Sequence, residues 1–268
     1  MKEIVIHSFE ELNDLIFKNC YDEKIGRYRN DFVYRGQYAD YPLYSSLNRV
    51  CHHNLKLERS IIRNFKKYGY ADLNLKDSFW QLLAKGQHFG LPTRLLDWTY
   101  SPLVAAHFAT VDIDHYDKDG VIYAIDLKDS ISTLPKCLKD EITKTNSHTF
   151  SIAMLDRHVE TLGDLERLSK KPFFLFYEPG SDDNRMINQY SLFSICSDPK
   201  YTIADLLKGK KNSMYKIIIP KEIKLEIRDK LDYINITERV IFPGLDSVCS
   251  WISRRYADLG EYKKKGKK

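Results

Sequence analysis

The chain has 268 residues, of which 43% are hydrophobic and 13% aromatic. That is enough to bury a substantial core, and it excludes disorder over most of the length. The net charge of +5 comes from the five lysines of residues 263–268, so residues 1–262 are balanced and no globally basic nucleic-acid face is indicated. The tail reads as a solvated end, and a single domain is expected over 1–262.

No apolar run approaches the roughly 20 residues of a membrane span, and Met1–His7 is too short and charged for a secretory signal. A cytoplasmic protein without membrane partners is expected. The five cysteines are odd in number, widely spread and form no CxxC pair, which fits neither a disulfide framework nor a zinc site.

Ser8 is placed to cap a helix over 10–17, with Glu10 and Glu11 in its first turn. Residues 31–37 read as a strand running into a glycine turn. Residues 55–68 are amphipathic through Leu57, Ile61, Ile62, Phe65 and Tyr68, and 77–86 read as a further helix. Residues 103–109, apolar and small, read as a buried helix. Strands are expected at 120–127, 172–177, 190–196 and 214–219, and helices at 151–170, 221–230 and 245–256. Residues 128–150 read as an irregular insertion or lid, and 235–242 as a strand or tight turn. The mixture lacks βαβ regularity, so the class is α+β with a mixed, mostly antiparallel sheet.

The most informative stretch runs from Gln87 to Pro102, Gln-His-Phe-Gly-Leu-Pro-Thr-Arg-Leu-Leu-Asp-Trp-Thr-Tyr-Ser-Pro. It places six kinds of polar side chain in sixteen residues and keeps no period of 2 or 3.6, so amphipathic packing does not account for it. It also precedes a buried helix, whose open N–H groups favour an anion.

Tyr34-Arg35-Gly36-Gln37 sets an arginine at a strand end beside a glycine that permits close approach. A planar guanidinium there suits phosphate or carboxylate; the structural alternative is an ion pair with Asp97. His88 reads either as a general acid/base or as a hydrogen-bonded core residue. Asp97, with Arg94 or Arg35, reads as an internal buttress rather than a catalytic acid, and Trp98 and Tyr100 either stack a flat ring or belong to the core. Residues 112–120 only brush a calcium loop, and Cys51-His52-His53 lacks a second ligand pair. No GxSxG, P-loop, GxGxxG or HExxH is present.

Tyr34-Arg35-Gly36-Gln37, the long stretch from Gln87 through Thr99, and Ser101-Pro102-Leu103-Val104-Ala105-Ala106-His107-Phe108-Ala109 together resemble the FRG domain family. Arg185, Gln189, Phe193 and Phe242-Pro243-Gly244-Leu245-Asp246 extend the resemblance over 31–255. The motif order is similar to that of ADP-ribosyltransferases, and the resemblance implies their fold, NAD as substrate and no metal. It implies a toxin or effector of bacterial phage defence that modifies RNA, DNA or protein and is restrained by a neutralising antitoxin.

Carried onto this chain, the resemblance makes Glu238 the carboxylate that stabilises the ribosyl cation and Arg35 the pyrophosphate ligand. Thr99 and Ser101 become braces. Tyr34, Gly36, Gln37, His88, Thr93, Arg94, Trp98 and Tyr100 become NAD-binding residues. The pattern departs from the family of transferases in two ways: there is no Ser-Thr-Ser triplet and no Glu-x-Glu, Glu238 standing one place off register. The alternatives are a non-catalytic nucleotide- or nucleic-acid-binding module, and an NAD glycohydrolase or nuclease using the same pocket.

Overall fold

The computed structural model describes residues 1–257 except 19, 75, 181–183 and 211–212; the lysine tail lies outside the described residues. Among the described residues ten strands form: β1 (Lys2–Val5), β2 (Tyr21–Asp22), β3 (Arg27–Tyr28), β4 (Phe32–Gln37), β5 (Leu95–Thr99), β6 (Gly120–Asp126), β7 (Phe150–Ser151), β8 (Phe174–Glu178), β9 (Ser191–Cys196) and β10 (Met214–Ile219). β2 and β3 make a small hairpin, and the other eight form one sheet in the order β1-β10-β6-β4-β5-β9-β8-β7. Only the pairs β1–β10 and β7–β8 are parallel. The class is α+β, with a mixed, mostly antiparallel sheet.

Among the described residues the α-helices before residue 135 are α1 (Phe9–Phe17), α2 (Ser46–Val50), α3 (Glu58–Tyr68), α4 (Phe79–His88), α5 (Pro102–Thr110) and α6 (Leu127–Ile131). Then come α7 (Lys136–Thr145), α8 (Ile152–Leu155), α9 (Leu162–Arg167), α10 (Asn184–Asn188) and α11 (Ile203–Leu206). The chain closes with α12 (Lys221–Tyr233), α13 (Glu238–Ile241) and α14 (Leu245–Arg255). Local chemistry sets many of these ends. Ser8 Oγ accepts from the Glu11 amide, and a reciprocal box between Ser78 and Gln81 starts α4. Gly90, at φ +83°, ends α4 in a left-handed turn: the Leu91 amide donates to the Gly86 carbonyl and the Gly90 amide to that of Gln87.

Alternation along the strands sorts the core. One face of the sheet carries Val33, Leu96, Trp98, Val121, Ile125 and Leu192 into a single cluster. The opposite face is covered by two separate layers. Tyr34, Ile122 and Ile217 pack on α1, α5 and α12 through Leu12, Ala105 and Ile227. Leu95, Leu175, Phe193 and Ile195 pack on α4, α7 and α9 through Trp80, Leu138 and Leu165. α5 lies so close to the sheet that a Cβ at Gly36 would overlap the Ala105 carbonyl, which explains the small residues on both elements.

The two layers part where the sheet is weakest. β4 pairs with β6 over six positions, but with β5 only at Tyr34 and Thr99. Beyond that pair the Arg35 side chain enters the seam, and its Nη1 donates to the Asp97 carbonyl oxygen at 2.7 Å.

Several expectations are corrected. Residues 128–150 are no irregular lid: α7 carries Leu138 and Ile142, and the link from α6 carries Leu134, into a core cluster. Residues 235–242 contain α13 rather than a strand, with the Thr237 backbone extended at its N-terminus. The long polar stretch contains β5, whose alternation is hidden because both faces of its strand are buried except at Asp97. The helix expected at 151–170 is broken into α8 and α9, and β1 occupies an N-terminus for which no strand was expected.

Candidate functional site

A cavity of about 250 Å³ lies over the seam. β4 contributes Tyr34, Arg35 and Gly36, β5 contributes Asp97, Trp98 and Thr99, and the last turn of α4 contributes Gln87 and His88. Phe108 of α5, Arg185 and Met186 of α10, and Gln189, Ser191 and Phe193 complete it. Residues remote in sequence thus meet because the two helical layers separate above a sheet joined by one pair.

Arg35 is the centre of this arrangement. Its side chain is 17% exposed, and its Nη1 stands 3.6 Å from Asp97 Oδ2. Burial pulls its pKa below the ordinary arginine value, and the Asp97 carboxylate only partly opposes the shift. Its Nε is buried with no partner among the described residues, and so is Nε2 of Gln189. Two unmatched donors beside one cavity call for an acceptor-rich ligand.

Asp97 is held by a relay that starts in the core. The Thr93 hydroxyl accepts from the Leu95 amide and donates to Gln87 Oε1 at 2.6 Å, which fixes the orientation of the Gln87 amide. Gln87 Nε2 then donates to Asp97 Oδ2 at 2.9 Å. The Asp97 side chain remains 54% exposed, so the carboxylate is positioned yet reachable from solvent.

Arg185 reaches the cavity from α10, its guanidinium 4.6 Å from the centre of the Phe242 ring. Phe242 also packs edge-on against Phe108 of the cavity wall. The wall is therefore built from α5, α10 and the segment after α13.

The expected site residues divide into two groups. Tyr34, Arg35, Gly36, His88, Trp98 and Thr99 line the cavity. Of these, Tyr34 and Trp98 are almost wholly buried, and the Trp98 indole N–H is already given to Ser194 Oγ at 2.8 Å. The Thr99 hydroxyl donates to the Gln189 carbonyl at 2.6 Å and accepts from the Ser101 amide.

Gln37, Thr93, Arg94, Tyr100, Ser101 and Glu238 do not line it. Gln37 closes β4, and Thr93 acts through Gln87 as described. Arg94 is buried, with Nε on Glu58, Nη1 on the Ser197 carbonyl and Nη2 on Glu166. The Tyr100 hydroxyl donates to Glu178 at 2.6 Å, and burial raises its pKa. Ser101 caps α5 by accepting from the Val104 amide, so the anion site expected at that helix start is already filled by the chain itself.

Glu238 sits in a buried ionic cluster. Arg254 grips it through Nε at 2.5 Å and Nη2 at 2.8 Å, and also holds Asp232 at 2.8–2.9 Å. Arg228 joins Asp232 at 3.0 Å and His107 Nδ1 at 2.7 Å. Burial works to raise the Glu238 pKa, but the Arg254 hydrogen bonds outweigh it and the net shift is downward.

Residues 30–118 match the family model of the FRG domain. The chain carries an FRG domain. The match covers β4, α4, β5 and α5, both sides of the seam. Arg185, Gln189 and Phe193 lie beyond the FRG match and still enter its cavity. No curated protein and no solved structure matches the chain.

The sequence marks Asp97 as a buttress and sets no site role on Gln87, Phe108, Met186 or Ser191. Gln87 and Asp97 stand in the same sixteen-residue stretch, and their spacing from Thr93 is the available signal. Phe108 and Met186 carry none, because an apolar wall residue looks like any core residue. Among the described residues no group of three or more His, Cys, Asp or Glu is placed to hold a metal ion, and no helix is long and apolar enough to cross a membrane.

Proposed function

We propose that the cavity holds the phosphate-bearing part of NAD and that the protein is an ADP-ribosyltransferase-like enzyme. One observation carries this reading: a guanidinium with an unmatched buried donor, Arg35, stands beside a solvent-reaching carboxylate, Asp97, in a single cavity. The first suits a pyrophosphate, and the second suits a developing cation.

In this reaction the bond between ribose C1′ and the nicotinamide nitrogen breaks. Its electron pair leaves with nicotinamide, which becomes neutral, and the ribosyl group passes through an oxocarbenium-like state. An acceptor nucleophile then bonds to C1′ and loses its proton to solvent. Asp97 takes the role of charge stabiliser that motif order gave to Glu238. Arg35 and Arg185 neutralise the pyrophosphate, while Thr99 and the relay from Thr93 through Gln87 position these groups. Glu238 is a positioning residue, since α13 ends at the Phe242 ring on which Arg185 rests.

The transferase-like fold, the phage-defence setting, an antitoxin partner and nucleic acid or protein as acceptor are supported by the resemblance of motifs alone. The test is incubation with NAD labelled in its adenylate phosphate, with RNA, DNA and cellular protein supplied separately. The expected result is nicotinamide release with label on one pool. Release without transfer means an NAD glycohydrolase, and neither release nor transfer means a binding module.

A further inference from the structure

At about 250 Å³ the cavity is smaller than the roughly 300–1,000 Å³ of sites that enclose a drug-sized ligand. It does not end at its own wall. A groove of about 890 Å³ shares His88 and Met186 with it and runs outward between α3, α4 and the segments around Pro179 and Pro243. The groove wall is mainly apolar, with Phe65, Leu73, Phe89 and Ile152, and Asp72 stands at its rim. Phe89 is 76% exposed, an unusual state for a phenylalanine at the end of a helix that is otherwise packed into the core.

Arg185 and Met186 are consecutive on α10, one in the cavity and the other at the junction. A ligand whose phosphates meet Arg35 and Arg185 therefore has its next group directed past His88 into the groove. An apolar, aromatic-bearing channel with an acceptor at the rim suits a flat ring that carries an exocyclic amine.

We infer that the groove is the subsite for the adenosine half of the dinucleotide, with the purine against Phe89 and Asp72 facing its polar edge. This rests on the reading of the cavity as a nucleotide site. It assigns the cavity, with Arg35 and Arg185, to the nicotinamide ribose and the diphosphate link, and the junction at His88 and Met186 to the passage from the diphosphate into the adenosine half.

The test measures affinity by calorimetry for ADP-ribose and for nicotinamide mononucleotide, with the unaltered protein and with Phe89→Ala and Asp72→Trp. Both positions are exposed, so the variants leave the core intact, and matching thermal melts check this. Removal of one stacking aromatic is expected to weaken ADP-ribose by about tenfold, and the bulky Asp72→Trp by at least as much. Nicotinamide mononucleotide should stay within about twofold, on the same stacking argument.

Equal weakening of both ligands, or no weakening of ADP-ribose, overturns the groove assignment and leaves the cavity reading standing. If the variants keep ADP-ribose affinity but lose label transfer to a macromolecule, the groove is an acceptor site and the inference fails. If the unaltered protein binds neither ligand, the nucleotide reading fails and takes this inference with it.

Discussion

Two regions of this molecule are built from the same ingredients, arginine and carboxylate, and behave oppositely. Around Arg254, carboxylates surround the guanidinium: Glu238 and Asp232 occupy Nε, Nη1 and Nη2 at 2.5–2.9 Å, with all three side chains at most 8% exposed. Around Arg35 the described residues supply one backbone carbonyl and one carboxylate at 3.6 Å, and none of them partners its Nε. A guanidinium whose directions are filled by its own chain is architecture, whereas one left short of acceptors beside a cavity is available for a ligand. The difference also separates Arg94, matched to Glu58 and Glu166, from Arg35, although both stand in the same recognition motifs.

Substitutions can break this contrast. The largest effect is expected from Asp97→Asn, which keeps the shape and removes the charge. Turnover of NAD should fall by about 100- to 1,000-fold, while ADP-ribose affinity changes little; unchanged turnover would return the carboxylate role to another residue. Arg35→Lys comes next. A point charge cannot reproduce the fork across the seam, so affinity for ADP-ribose should fall by about 100-fold, as read by calorimetry.

Glu238→Gln tests the other region. It should cost about 3 kcal/mol of stability, the low end for a broken buried pair because Asp232 still holds Arg254. Turnover per folded molecule should stay within severalfold on the same grounds, since Arg185 keeps its ring platform. A full loss of turnover with intact folding would reverse the assignment.

The same residue gives a pH signature. Its folded pKa lies below the ordinary value of 4.5, so its stabilisation is complete above about pH 4.5 and is lost as the pH falls through the depressed value. Melting temperatures of the parent and of Glu238→Gln, compared from about pH 6 down to pH 3, should therefore converge on the acid side. The smallest effect is expected from Thr93→Val, which frees the Gln87 amide to turn. About 1–2 kcal/mol of stability should be lost with the two hydrogen bonds, with turnover reduced a few-fold; a turnover loss equal to that of Asp97→Asn would place Thr93 in the chemistry.

Much of the fold was legible because burial leaves a period. The amphipathic helix at 58–68 shows it plainly, while the strands at 120–126 and 214–219 show instead as short apolar runs. The failures have specific causes. α7 is hard to read because Leu138 and Ile142 are diluted by lysines, aspartate and threonines, although their spacing of four marks one helical face. α13 spans only four residues and is held by charge rather than by an apolar stripe. At the site, Tyr34-Arg35-Gly36 and the stretch after Gln87 announced themselves by composition. The role of Glu238 did not, because an acid in a motif and an acid in a buried ion pair look the same until Arg254, sixteen residues on, is seen to fold back on it.

The single-pair seam between β4 and β5 makes the sheet two four-stranded panels, and the chain crosses between them repeatedly. A ligand that touches both Arg35 and Asp97 acts as a strut between the panels, so occupancy should appear as mechanical stiffening. Amides of β4 and β5 flanking the seam should exchange with solvent fastest in the empty protein and slow most on binding, and at a hundredfold excess over Kd the whole fold gains about 2.7 kcal/mol. The weakest line in the sheet is then the place where the protein registers its substrate.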